Sequence, residues 1–212
     1  MGNLNVVTIV LIVVNVLFSI KGFKDFSFFE KYKFNVGAIK RGEKIRMLTS
    51  GFLHVNPQHL LFNMVTLYFF AYIVIAKLGE VQFVIIYLAS LVAGSLLSLA
   101  FNKNNYHYSA VGASGAVMGI IYSAILLEPY YLKIYGIIPG WLFGIGYLLY
   151  SIYGMKNKTD NIGHDAHFGG AVGGYVITLI CAPSLIQTDL TMVLVLALPI
   201  VLLFVMKKLG KI

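Results

Sequence analysis

Charge is what this sequence has least of. Asp, Glu, Lys and Arg make up 11% of its 212 residues, where an ordinary soluble domain carries about 25%. With 16 Lys and Arg and 8 Asp and Glu, a chain of this length cannot clothe a water-facing surface. Hydrophobic residues reach 59% and the mean hydropathy is +0.84, so most of the surface faces lipid and the chain reads as an integral membrane protein. Cysteine is nearly absent, and a lone Cys181 excludes a disulfide scaffold. The low charge also excludes a disordered chain, and 21 glycines without a triplet period exclude collagen. The formal charge of +8 does not point to nucleic acid, because the basic residues lie between apolar runs and at the C-terminal end rather than on one face. Anionic headgroups of a lipid bilayer are their expected counterpart. Nothing forms a phosphate loop, so no nucleotide is expected. Leu4–Ile20 has no Lys or Arg before it and no small-residue cleavage motif after it, which predicts a retained membrane helix rather than a cleaved signal.

Apolar runs are what the chain has instead. A helix needs about 20 residues to cross ~30 Å of hydrocarbon, and seven runs qualify: 4–20, 57–76, 81–101, 110–127, 134–153, 164–182 and 190–206. Backbone groups in lipid must be bonded within the segment, so these are expected to be helices. The only long connection, 21–56, alternates charges (Lys21, Lys24, Asp25, Glu30) with aromatics (Phe23, Phe26, Phe28, Phe29), the composition of a segment lying in the membrane interface. With no repeat or linker, one polytopic domain over 1–212 is expected.

Three runs begin with polar groups that cost free energy at membrane depth and therefore tend to face a cavity or a partner. Run 57–76 carries His59 and Asn63, run 110–127 carries Gly112-Ala113-Ser114-Gly115, and run 164–182 opens His164-Asp165-Ala166-His167. If the topology alternates, all three starts share one end of the bundle. Ser114 falls where a glycine-containing loop turns into a helix, and unpaired N–H groups in the first turn of a helix suit a developing oxyanion. Gly115 and Gly119 give that helix a flat side. His167, Gly170, Ala171 and Gly174 fall at i, i+3, i+4 and i+7, a stripe that lets another helix approach closely. If that neighbour is the flat side of run 110–127, the His167 imidazole can serve as general base to the Ser114 hydroxyl. Asp165, two residues from His167, points to another side of the helix, so a Ser-His dyad is the better reading than a triad. His59 and Asn63 share a helix face and can donate to an oxyanion. Each feature alone also has a plainer reading: a packing motif for Gly-x-Ser-Gly, an interfacial histidine for His167, interhelical hydrogen bonding for His59 and Asn63. His54, His59, His164 and His167 could converge on a metal, but there is no His-Glu-x-x-His and the nearby carboxylates are badly placed. No metal and no cofactor are expected.

Taken together, four segments over about residues 40–180 resemble the rhomboid intramembrane serine proteases. They are Gly42-Glu43-Lys44-Ile45-Arg46; Phe52-Leu53-His54-Val55-Asn56-Pro57-Gln58-His59-Leu60-Leu61-Phe62-Asn63; Gly112-Ala113-Ser114-Gly115; and Ala166-His167-Phe168-Gly169-Gly170 with Gly174. The resemblance implies an all-α membrane protein with a six-helix core over about 1–183 and a seventh transmembrane helix, 190–206, appended to it. It implies Ser114 as nucleophile, His167 as base, and His59, Asn63 and the Ser114 N–H as the oxyanion hole. Arg46, Gly112, Gly115, Gly170 and Gly174 become structural supports, and 21–56 a membrane-embedded loop. The implied activity is hydrolysis of peptide bonds in or near transmembrane segments of other membrane proteins. A non-catalytic relative that binds transmembrane clients is the first alternative; a small transporter is the second, although its expected marks, paired inverted repeats and buried carboxylates, are not read in the sequence.

Several positions depart from the family's usual pattern. Ile45 stands where a tryptophan is common before the arginine, Met118 where an aromatic often follows the serine by four, Ile75 where a glutamate is usual, and the acid expected near Gly163 appears as Asp165. Orientation is contested within the sequence itself. Relatives place this active site outside the cytoplasm, at the cell membrane, yet that side would carry 14 Lys and Arg against 2, Lys77 and Lys133, on the other. The positive-inside rule alone predicts the reverse. An embedded loop holds its charges in the interface rather than offering them as a translocation signal, and the family orientation is the one expected here.

Overall fold

The computed structural model describes residues 5–134, 136–157, 160 and 162–212; Leu4, Tyr135 and Lys158, which enter the apolar runs and the charge count above, lie outside them. The chain is mostly helical. After α1 (Val6–Lys24) come four short pieces: α2 (Phe26–Tyr32), β1 (Phe34–Asn35), α3 (Val36–Lys40) and α4 (Arg46–Thr49), the last followed by a 3-10 turn at Ser50–Phe52. Then follow α5 (Pro57–Leu78), α6 (Glu80–Phe101), β2 (Ser109–Ala110), α7 (Ser114–Leu127), β3 (Lys133–Ile134), β4 (Ile138–Pro139), α8 (Gly140–Asn157), α9 (His164–Cys181), α10 (Leu185–Thr188) and α11 (Leu190–Lys208).

Each of the seven apolar runs contains a helix; α1, α5, α6 and α11 are by themselves long and apolar enough to cross a membrane, whereas α7, with 14 residues, is a shorter apolar helix. Side-chain caps mark several starts. Asn5, Asp25, Asn35, Asn56 and Asp189 each accept a hydrogen bond from a backbone N–H of the first turn of the helix that follows, and Pro57 occupies the first turn of α5, where its missing N–H costs nothing.

Two expectations need correction. The run 134–153 does not start as a helix: Lys133 and Ile134 pair antiparallel with Pro139 and Ile138, and α8 begins only at Gly140. Nor is the chain purely α, since β1 and β2 also pair, Phe34 with Ala110 and Asn35 with Ser109. That second pairing ties the 21–56 segment to the strand that leads into Ser114.

Helix α7 is the axis of the bundle. Every residue from Gly115 to Leu126 is buried, so it is apolar all round because protein surrounds it. Helix α9 lies against both α6 and α7 through two glycine faces. A Cβ at Gly169 would come within 2.7 Å of the Ala93 carbonyl oxygen and one at Gly173 within 2.9 Å of Ser90 Cα, both on α6. Cβ atoms at Gly170 and Gly174 would collide with the carbonyls of Gly115 and Gly119 on α7. In lipid, close backbone approach through small residues supplies the van der Waals contact that hydrophobic exclusion cannot. On the other flank α11 docks on α7 and α8, and the hydroxyls of Tyr122 and Tyr175 donate to its Leu196 and Val193 carbonyls at 3.1 and 2.8 Å. Outward-facing Leu17, Phe62, Phe69, Leu194 and Leu198 leave an apolar exterior.

Candidate active site

The site lies at the shared end of α5, α7 and α9. The strand β2 runs into Gly112, whose φ of +135° is one that a residue with a Cβ rarely adopts. Its N–H donates to the Ser50 carbonyl at 3.0 Å. A Cβ there would also press on the His59 ring, 2.7 Å from Cε1, so glycine is required twice over. The chain then turns into α7 with Ser114 as its first residue, at the positive end of the helix dipole.

Across from it, α9 brings His167 into place. Its Nε2 lies 2.6 Å from Ser114 Oγ, the distance of a short hydrogen bond. The approach depends on the glycine contacts of Gly170 and Gly174 with α7, and on Gly115, whose Cβ would stand 3.2 Å from the Ala166 carbonyl oxygen.

On α5, Asn63 is 6% exposed and donates one Nδ2 hydrogen to the His59 backbone carbonyl at 3.1 Å; its second amide hydrogen has no partner among the described residues. The His59 Nδ1 is buried and has no hydrogen-bond partner among the described residues. His54, just before α5, is fully buried: its Nδ1 lies 2.8 Å from Ser19 Oγ, and its Nε2 accepts from the Ala113 N–H at 3.4 Å. Burial, and after it the neighbouring His59, pushes its pKa down to about 3. His54 thus braces the loop before Ser114 as a neutral imidazole.

Arg46 sits apart from these groups, pinning the 21–56 segment. Its Nη1 donates to the Glu30 and Lys33 carbonyls at 2.7 and 3.0 Å, and its Nε and Nη2 meet the Glu43 carboxylate at 2.8 and 2.7 Å. Asp165 is buried and faces α6: Ser98 Oγ and Asn102 Nδ2 donate to it at 2.9 and 2.5 Å, and Tyr108 donates at 3.4 Å. Burial first, and then the Asp165 charge, raises the Tyr108 pKa, so its hydroxyl stays a donor. His164 pairs with Asp160 at 3.0 Å rather than with the other histidines. Among the described residues no three His, Cys, Asp or Glu side chains are grouped to hold a metal ion.

One contact was not read from the sequence. Tyr147 of α8 places its hydroxyl 2.6 Å from His167 Nδ1. Nothing local distinguishes it among the aromatics of α8.

A cavity of about 1390 Å³ opens onto these groups. His59, Asn63, Ser114 and His167 line its polar end, and Phe69 of α5 and Phe143 of α8 line the apolar remainder.

The model of the rhomboid domain matches residues 41–184, over half of the chain. The chain belongs to the rhomboid family. Among its relatives, Rhomboid protease GluP of Bacillus subtilis (strain 168) is 31% identical over 141 residues, covering 65% of this chain and 26% of GluP. RHOMBOID-like protein 12, mitochondrial, of Arabidopsis thaliana is 31% identical over 150 residues, 62% of this chain and 45% of that protein. Presenilin-associated rhomboid-like protein, mitochondrial, of Rattus norvegicus is 31% identical over 134 residues, 60% and 36%. This rhomboid therefore spans less than half of each of these relatives. The matched domain and the apolar helices make it an integral, multi-pass membrane protein.

Proposed function

We propose that this rhomboid is an intramembrane serine endopeptidase that cuts peptide bonds in or near transmembrane segments of other membrane proteins. The observation that carries the reading is the 2.6 Å contact between His167 Nε2 and Ser114 Oγ at the mouth of a cavity within an apolar bundle. In the proposed reaction Nε2 takes the Ser114 proton as Oγ attacks the scissile carbonyl carbon. The oxyanion then accepts hydrogen bonds from the Ser114 N–H, the second Asn63 amide hydrogen and the His59 ring. Nε2 passes its proton to the leaving amine, and a water entering from the cavity releases the acyl group by the same route in reverse.

A substrate helix has its carbonyls bonded internally, so a cleavable segment must unwind, which Gly, Pro or polar residues near the cut make easier. In this reading α1 and α5 to α9 are the six-helix core, about residues 1–183, and α11 is the appended helix over 190–206. The active site opens outside the cytoplasm, at the cell membrane.

The test is turnover of a transmembrane substrate in proteoliposomes by wild type, Ser114→Ala, His167→Ala and the double variant, alongside labelling with a fluorophosphonate. Loss of cleavage in both single variants, with little further loss in the double, is expected of groups that act as a unit. Turnover near wild type by the Ser114→Ala protein overturns the mechanism. A folded wild type that binds transmembrane clients, does not cleave them and resists the probe is a non-catalytic relative instead.

A further inference from the structure

His167 has two ring nitrogens, and the reaction uses one. For Nε2 to accept the Ser114 proton it must be bare, so in the neutral imidazole the ring hydrogen belongs on Nδ1. That N–H needs an acceptor, or the other tautomer competes and the base is unavailable for part of the time. In hydrolases with an acid in the third place a carboxylate takes this role. Here the nearest carboxylate in sequence, Asp165, is committed to Ser98 and Asn102 on the α6 side and to the Ala166 N–H of its own helix. Met118, on the α7 face, brings a thioether and no strong acceptor.

What lies against Nδ1 is the Tyr147 hydroxyl oxygen, 2.6 Å away. The tyrosine is not free to swing: its ring stacks on Phe143 at 5.8 Å between centroids and 26° between planes, and meets the edge of Tyr150 at 6.3 Å. It also flanks the imidazole itself, 6.1 Å between centroids and tilted by 33°.

We propose that Tyr147 is the positioning residue of this site, an uncharged third member whose hydroxyl oxygen accepts the Nδ1–H of His167 and so fixes its tautomer and ring orientation. The proposal rests on the serine-protease reading above. When Nε2 takes the Ser114 proton the imidazole becomes a cation, and the Nδ1–H to Oη bond becomes charge-assisted, hence stronger in the transition state than before it. Tyr147 keeps its own proton throughout; the only proton that moves passes from Ser114 Oγ to Nε2 and on to the leaving nitrogen. Because Tyr147 belongs to α8, the base is held by a helix other than the two that carry the dyad.

The test is Tyr147→Phe, which deletes one oxygen and keeps the ring. A hydrogen bond to a group that becomes charged corresponds to a loss of roughly 10- to 100-fold in kcat, with KM for a transmembrane substrate unchanged. Nitrogen-15 NMR of histidine-labelled protein in detergent supplies a readout that packing alone would not move: wild-type His167 should carry its proton on Nδ1, and the variant should mix the two tautomers. The wild-type spectrum tests the proposal even where the variant folds poorly. A proton on Nε2 in the wild type overturns it, as does a Tyr147→Phe protein with wild-type kcat and an unmixed tautomer. If Ser114→Ala retains turnover the protease reading fails, whereas the tautomer measurement still reports whether Tyr147 holds the imidazole.

Discussion

The carbonyl oxygen of Gly115 occupies the position a Cβ on Gly170 would need. The contact brings the backbones of α7 and α9 together one turn below the polar groups, and the 2.6 Å spacing of Ser114 and His167 depends on it. Helix packing and active-site geometry are therefore one property in this protein: the residues without side chains set the distance between the two that would react.

Gly170→Val should separate α7 from α9. A misplacement of about 1 Å can cost on the order of 10²-fold in rate, so the variant is expected to insert and to lose fluorophosphonate labelling. Because Gly169 faces α6 and Gly170 faces α7, Gly170→Val should act on labelling more than Gly169→Ala does at equal loss of thermal stability. Wild-type labelling of Gly170→Val would mean that the distance is set elsewhere.

Asn63→Ala and His59→Ala should lower kcat more than they change KM, since a developing oxyanion exists only in the transition state. Deleting one donor at an oxyanion site typically costs about 10²–10³ in rate, and the Ser114 N–H remains in both variants, so the loss is partial. Asn63 already spends one hydrogen on the His59 backbone carbonyl, a contact that His59→Ala leaves in place, so only its second amide hydrogen is left for the oxyanion. A change confined to KM would assign both residues to substrate binding.

Much of this arrangement was legible in the sequence because polar residues stand out in an apolar run: His59, Ser114 and His167 each sit near the start of a segment that is otherwise hydrophobic. The seven runs likewise each contain a helix, four of them of spanning length and composition. The hairpin before α8 was not legible by hydropathy, since Lys133–Pro139 is apolar enough to extend a helix and a short apolar run has no period that separates strand from helix. Its turn places Gly136 at φ +74°, a local signal that a count of apolar residues passes over. Tyr147 was illegible for a different reason. It is one of several aromatics between Trp141 and Tyr153, and only the tertiary placement of α8 against α9 distinguishes it from its neighbours.

His54 should make the fold sensitive to acid. Its pKa in the folded protein is about 3 against an ordinary 6.5, so above pH 6.5 the imidazole is neutral in both states and its contribution is fully present. Below that the unfolded state binds a proton that the folded one refuses, and stability falls by up to about 1.4 kcal/mol per pH unit until the folded pKa is reached. A proton on Nε2 would also set two N–H groups against each other, because that nitrogen accepts from Ala113. Thermal unfolding in detergent should therefore drop between pH 6.5 and 3 more steeply for wild type than for His54→Gln. Parallel pH curves for the two proteins would exclude His54 as the acid-sensitive group.

Orientation is the prediction on which the charge count and the family expectation disagree. If the active site opens outside the cytoplasm, the lysine-rich segment after α1 must be held there by something stronger than its charge. The structure offers candidates: Lys21 and Lys40 lie over the rings of Phe28 and Tyr106 at 4.4 and 4.6 Å, and Arg46 is consumed by two carbonyls and Glu43. Basic side chains that lie along aromatic faces while their heads reach the interface are anchors rather than free translocation signals. In a Cys181→Ala background, Lys44→Cys and Asn104→Cys, both at exposed positions on the active-site end, should react with an impermeant thiol reagent on intact cells. Gln187→Cys, exposed beyond the opposite end of α9, should react only after permeabilisation. The reverse pattern would place the active site in the cytoplasm and leave the Ser114–His167 geometry untouched.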